Sequence, residues 1–196
     1  MRIPRDAVLL VIDVQNAIDD AKWGPRNNPS AEGNIQKLLA AWRACGRPVA
    51  HVRHDSPEPL SPYRPGQRGN EFKTLTAPGR GETVLVKSVN SAFIGTELET
   101  LLTDAGHTTL VVCGVLTNNS VESTVRHAGN LGFRVFVVED ACWAVDKRGV
   151  RGELWPAEAV HHMSLANMAG EFAKIVDTQT AVAAASAPPP VRRRTI

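Results

Sequence analysis

The chain has 196 residues, 43% of them hydrophobic and 21% charged, with a formal net charge of +2. That is enough for one well-buried core of ordinary globular composition, and the small charge gives no argument for a nucleic-acid or membrane surface as partner. The three cysteines, Cys45, Cys113 and Cys142, make neither a CxxC pair nor an even-numbered disulfide framework, so a reducing cytoplasm is the expected setting.

Residues 7–14 are apolar except for Asp13, the pattern of a strand covered on both faces. The run is too short to span a bilayer and no small-residue cleavage pattern follows it, so neither an anchor nor a signal peptide is expected. Ile35, Leu38, Leu39 and Trp42 share one helical face, with Gly46 and then Pro48 beyond its end. Residues 48–52 form the next strand. The Pro/Gly-rich stretch 56–81 is longer than an ordinary connection and is expected to be a functional loop or lid.

Strand character resumes over 83–86. Thr96-Glu97-Leu98-Glu99 has the form of a capping box opening a helix that runs through Leu102 and closes at Gly106. A strand over 108–113, a helix over 119–131 and a strand over 133–138 follow. Pro156 opens another helix, 172–176 is the last strand, and 181–185 is a terminal helix fragment. This alternation predicts an α/β fold of three layers, α/β/α, in a Rossmann-like arrangement. A parallel sheet of about six strands, with the first strand central, is flanked by helices. The domain is expected over 1–185, with a Pro/Arg-rich tail over 186–196 whose basic run, Arg192 to Arg194, is read as solvated.

In such folds sites form beyond the carboxyl ends of the strands. Three of those ends carry chemistry. Asp13 interrupts an apolar strand, where a bare carboxylate is costly without a partner; alone it is equally well read as a turn cap. Lys87 ends the third strand, where an ammonium must find a partner or reach solvent, and alone it is better read as reaching solvent. A mutual Asp13–Lys87 contact would resolve both problems. The third end, Gly114 to Thr124, is a strand running through a polar turn into a helix. Ser120 lies near the helix start, where free N–H groups can hold an oxyanion or the hydroxyl can serve as an ordinary cap.

These three segments, in this order, resemble the isochorismatase-like hydrolase superfamily, which includes nicotinamidases, N-carbamoylsarcosine amidases and streptothricin hydrolases. The resemblance is carried by Asp13 with Gln15, by Lys87 with Ser91-Ala92-Phe93, and by Gly114-Val115-Leu116-Thr117-Asn118-Asn119-Ser120-Val121 against the pattern Gly-x-x-Thr-x-x-Cys-Val. It spans about residues 5–180. It implies an isochorismatase-type hydrolase fold and cleavage of a small amide, carbamoyl or lactam C–N bond. The implied roles are Asp13 as proton acceptor, Lys87 as its electrostatic support and residue 120 as nucleophile. The N–H groups of Leu116 and Ser120 would form the oxyanion hole, and the Val115–Leu116 peptide would be cis.

The departure from the pattern is Ser120, where the family carries Cys. A hydroxyl is a far weaker acid than a thiol, so the Ser120 form is expected to be weak or inactive. Cys113 lies inside a strand and cannot stand in for it. An engineered Cys→Ser exchange and natural divergence are both open, and the otherwise intact amidase-like surroundings favour the first. Vinyl-ether hydrolysis without a covalent intermediate, and a catalytically silent binding protein, are the alternative functions.

Ile18, Trp23, Tyr63, Phe93 and Asn119 are the candidate substrate-binding residues, with Phe72 and Trp143 as further aromatics that could wall a pocket. Arg53, Arg64 and Arg68 are candidates to meet a substrate carboxylate, although solvation explains them better. No cofactor and no metal is expected. His51 and His54, three apart on a strand, face opposite ways, and His161 and His162 are adjacent on a helix. The expected partners are a small-molecule amide and a second copy of the chain, in a homodimer or homotetramer, with no nucleic acid and no membrane.

Overall fold

The computed structural model describes residues 3–186. Six parallel strands form the main sheet: β1 (Val8–Ile12), β2 (Val49–His54), β3 (Thr83–Lys87), β4 (Thr109–Val115), β5 (Arg134–Trp143) and, after a two-stranded ribbon of β6 (Lys147–Arg148) and β7 (Leu154–Trp155), β8 (Lys174–Val176). Their order is β3-β2-β1-β4-β5-β8. The chain therefore winds outward from β1 in both directions, and the topological switch point lies between β1 and β4.

Helix α1 (Ala31–Ala44) packs with α5 (Thr178–Ser186), and α3 (Glu122–Asn130) packs with α4 (Ala157–Met168). The short helix α2 (Leu98–Asp104) joins β3 to β4. Burial on both sheet faces explains the apolar strands. Leu9, Leu10, Val11 and Ile12 are buried in β1 and Leu110 to Cys113 in β4, while Ile35, Leu38, Leu39 and Trp42 supply the covering face of α1. Trp42 also donates its indole N–H to the Ala7 carbonyl at 3.0 Å, satisfying the polar edge of a buried ring.

Several details differ from the sequence pattern. The residue 119–131 helix starts as a π-helical turn at Thr117–Val121 and becomes α-helical only at Glu122. Strand β5 runs on to Trp143 because the register against β4 shifts, Val112 facing Val137 and Gly114 facing Cys142. The 96–99 capping box is half formed: Thr96 Oγ1 accepts from the Leu98 N–H at 3.2 Å, and Glu97, at the cap position, makes no side-chain bond to the helix. Helix α5 continues through Ser186, the first residue assigned to the tail; the Pro/Arg segment beyond it lies outside the described residues. No described helix is long and apolar enough to cross a membrane.

Gly114 is required by the close approach of β4 to β1. Its φ is +121°, and a Cβ there would lie 2.1 Å from the Ile12 carbonyl oxygen.

Candidate active site

The ends of β1, β3 and β4 converge. Lys87 Nζ donates to Asp13 Oδ2 at 2.6 Å and to Ser120 Oγ at 3.2 Å. The lysine comes from β3, which pairs with β2 rather than β1, so its side chain crosses the end of β2 to reach Asp13. There it passes His54, whose Nδ1 is 3.4 Å from Nζ and whose backbone is register-paired with Lys87. The three groups are buried, Lys87 at 2% exposure and Asp13 at 4%.

Asp13 has φ +55°, a left-handed conformation that aspartate tolerates better than most side chains and that turns the chain sharply after the strand. Its backbone N–H still donates to Val52 at 2.9 Å. Oδ2 is taken by Lys87, whereas Oδ1 is buried and has no hydrogen-bond partner among the described residues. Burial pushes the Asp13 carboxyl above its ordinary value, with the Lys87 ammonium pulling the other way. Burial and then Lys87 hold His54 below the usual imidazole value, favouring its neutral form.

The turn carrying Ser120 is braced from α4. His161 Nδ1 lies 2.8 Å from Thr117 Oγ1, and Ser164 Oγ donates to the Thr117 carbonyl at 2.9 Å and to Glu122 Oε2 at 2.6 Å. Preceding the turn, the Val115–Leu116 peptide is cis.

Above these groups is a pocket of 190 Å³. Of the residues proposed from sequence to bind substrate, Ile18, Trp23, Tyr63 and Asn119 line it, as do Asp13, Leu116 and Ser120. Phe93 does not. It is 8% exposed and packs against His127 and Phe133, because the 91–93 turn is drawn onto α3 by the Ala92 N–H donating to Thr124 Oγ1 at 3.0 Å. Trp143 is likewise core, with the Arg26 guanidinium over its ring, and Phe72 packs edge-on against His51. Arg53 is paired with Asp55 at 2.9 Å, and Arg64 and Arg68 are exposed. The pocket also takes in His54, Ser56, Ser61 and Asn90, which sequence reasoning did not select. His54 and Asn90 sit at or just past the carboxyl ends of β2 and β3, so the strand-end rule applied to every strand would have found them.

The 56–81 excursion therefore walls the site with Ser56, Ser61 and Tyr63. It is fastened by Asn70, whose Nδ2 reaches Tyr63 O at 2.8 Å, Asp55 Oδ1 at 2.9 Å and His54 O at 3.1 Å. Tyr63 stacks edge-on with Trp23 at 6.3 Å and with His54 at 5.7 Å.

The histidines do not converge on a metal position. His51 Nε2 meets Glu82 at 2.9 Å, His161 braces the Ser120 turn, and His162 is paired with Glu158 at the surface. The buried thiols of Cys113 and Cys142 are pushed up by burial, Cys142 to about 12, and Cys45 is exposed; none of the three lines the pocket.

Comparison with known proteins gives the family. The isochorismatase domain family matches residues 7–180. The uncharacterized isochorismatase family protein YrdC of Bacillus subtilis is 41% identical over 170 residues, covering 87% of this chain and 91% of that protein. Streptothricin hydrolase of Streptomyces noursei is 36% identical over 186 residues, 93% of this chain and 72% of that one. A crystal structure of an isochorismatase-family protein from Chromobacterium violaceum ATCC 12472 superposes with a TM-score of 0.92 at 52% identity, covering 94% of this chain and 96% of the other. The fold, the strand-end site and these similarities lead to one assignment: the chain belongs to the isochorismatase family of hydrolases.

Proposed function

We propose that the chain hydrolyses the C–N bond of a small amide, carbamoyl or lactam substrate through an acyl-enzyme on residue 120. The observation that carries this reading is the bridge from Lys87 Nζ to both Asp13 and Ser120 at the floor of the pocket. In support of the reading, a carbonyl carbon in the pocket could meet the Ser120 hydroxyl, the open oxygen of Asp13 and the Lys87 ammonium together, the set that covalent acyl transfer requires.

In this mechanism Oγ of Ser120 loses its proton to Asp13 Oδ1 as it attacks the carbonyl carbon. The N–H groups of Leu116 and Ser120 hold the oxygen that becomes negative. The C–N bond breaks as Asp13 returns the proton to the departing nitrogen. Water then gives a proton to Asp13 and attacks the acyl carbon, releasing the acid and restoring the hydroxyl. Lys87 keeps Asp13 aligned and compensates its charge. A serine in this setting is a poor nucleophile because one buried carboxylate is a weak base for a hydroxyl; a thiol ionises readily beside the same ammonium.

The burial of Asp13 favours a second reading. The raised proton affinity of Asp13 suits a general acid, which could protonate a vinyl ether with no covalent intermediate and no thiol. The two readings separate in a comparison of the Ser120 protein with Ser120→Cys. Under the amide reading the exchange raises amide hydrolysis on the order of 10²-fold or more. Equal amide turnover in both proteins defeats it. Full turnover of an isochorismate-type substrate by the Ser120 form supports the acid mechanism, and no turnover of either class supports a silent binding protein.

A further inference from the structure

Taking the amide-hydrolase reading of the site as given, we infer that the substrate group entering the pocket is compact and uncharged, because the pocket offers no free ion to pair with a charge. Among the described lining residues the sole charged side chain is Asp13, and its charge is already matched by Lys87 at 2.6 Å. The remaining walls are apolar, aromatic or neutral polar: Ile18, Trp23 and Tyr63, with Ser56, Ser61, Asn90 and Asn119 supplying hydrogen-bonding groups and His54 kept in its neutral form by burial and the neighbouring Lys87.

Arg53, Arg64, Arg68 and Arg80, in or beside the 56–81 excursion, do not alter this balance, and none of them lines the pocket. Arg53 is held by Asp55 through two hydrogen bonds, at 2.9 and 3.2 Å, and Asp55 is itself bonded to Asn70. Arg64, Arg68 and Arg80 lie at the surface. A carboxylate entering here would lose its hydration and gain no cation beyond the one already committed to Asp13, an arrangement that disfavours binding. A cationic group would find Asp13 similarly engaged.

Size points the same way. At 190 Å³ the pocket lies below the roughly 300–1,000 Å³ of sites that enclose drug-sized ligands. It fits a small acyl or carbamoyl group, with a bulkier leaving amine left outside. The hydrogen-bonding walls fit an amide or ureide face, and Trp23 and Tyr63 fit its flat or apolar flank. Enol ethers that carry carboxylates are disfavoured by the same reasoning.

Alkylation at residue 120 tests the charge rule independently of turnover. The Ser120→Cys protein is treated with iodoacetamide or with iodoacetate, reagents of similar shape that differ in charge. Site-resolved mass spectrometry follows residue 120, and the exposed Cys45 and a free small thiol serve as references. The amide-to-acid rate ratio at residue 120 should exceed both reference ratios by about tenfold or more. Ser61→Arg, made in addition, should bring the iodoacetate rate up by adding a cation at the wall. On the unsubstituted chain, intrinsic tryptophan fluorescence, in which Trp23 is the pocket reporter among four tryptophans, titrated with isobutyramide and with isobutyrate should show the amide binding about tenfold or more tightly. A ratio at residue 120 equal to or below the references, no alkylation there by either reagent, or isobutyrate binding as well as isobutyramide would overturn the inference. Selective alkylation by the neutral reagent in a protein that hydrolyses no amide would instead remove the catalytic reading and leave the pocket rule standing.

Discussion

Gln15 holds His54 by both ends of its side-chain amide: Oε1 accepts from the His54 N–H at 2.7 Å and Nε2 donates to the His54 carbonyl at 3.0 Å. Nε2 also reaches the Asn70 carbonyl at 2.8 Å, so one fully buried side chain ties the end of β1 to the end of β2 and to the 56–81 excursion. Gln15→Ala strands these backbone groups. It should destabilise the fold by about 1–3 kcal/mol and loosen the wall carrying Tyr63. In the Ser120→Cys background KM for a small amide should rise more than kcat falls. Urea unfolding together with steady-state kinetics checks both, and an unchanged KM would show that the clamp does not shape the pocket.

Asp13 and Lys87 should be separable by their effects on folding. In the Ser120→Cys background, Asp13→Asn removes the proton acceptor with little change of shape and should lower kcat on the order of 10²-fold or more. Lys87→Ala should be comparably harmful to turnover and also cost about 3–5 kcal/mol of stability, because it leaves a buried carboxylate without its cation. Near-normal turnover of folded Asp13→Asn would remove the base role.

Gly114→Ala should be destabilising in a way that no surface substitution nearby matches. The added Cβ meets the β1 backbone at Ile12 while the residue is held at φ +121°, and the two effects together should cost roughly 3 kcal/mol or more. A denaturant midpoint within error of the parent's would contradict the close approach of β4 to β1.

Stability should fall as the solution is acidified, starting well above the carboxylate range. Burial, followed by the neighbouring His162, lowers His161 from 6.5 to about 4. The unfolded chain therefore takes up a proton that the native state refuses. The stability contribution is fully present above the unfolded value of about 6.5 and is lost as pH falls from there through about 4. Glu82, held at about 2 by Arg43, extends the loss from about 4.5 downward. Urea midpoints at pH 7, 5.5 and 4.5 should decrease in that order, and His161→Gln should flatten the slope over this interval. An unchanged slope would mean that some other group carries it.

The sheet was legible because its strands are buried on both faces, and continuous apolar runs such as residues 7–12 have few other homes. Asp13 and Lys87 stand out only as a pair of ions at strand ends, each alone having an ordinary explanation, and Ser120 is singled out by the family resemblance of its turn. What escaped was whatever depends on register and on three-dimensional bracing. The β4–β5 shift that extends β5 to Trp143 leaves no periodic trace. The π-helical turn and the α-helix that follows it share one hydrophobic pattern. Phe93 is one of several aromatics that could wall a pocket, and nothing in the sequence shows that the Ala92–Thr124 bond turns it onto α3. The spacing of His54 from His51 speaks only to metal binding, and its actual neighbour, Lys87, lies on another strand.

The division of labour between the strand ends and the 56–70 excursion has an engineering consequence. Asp13, Lys87 and residue 120 are set at or beyond the ends of β1, β3 and β4, whereas Ser56, Ser61 and Tyr63 come from one contiguous peptide fastened at Asn70. That peptide should therefore be exchangeable as a unit. Rewriting it between the anchors would retarget the pocket, and the spacing of Asp13, Lys87 and residue 120 would stay as the sheet dictates.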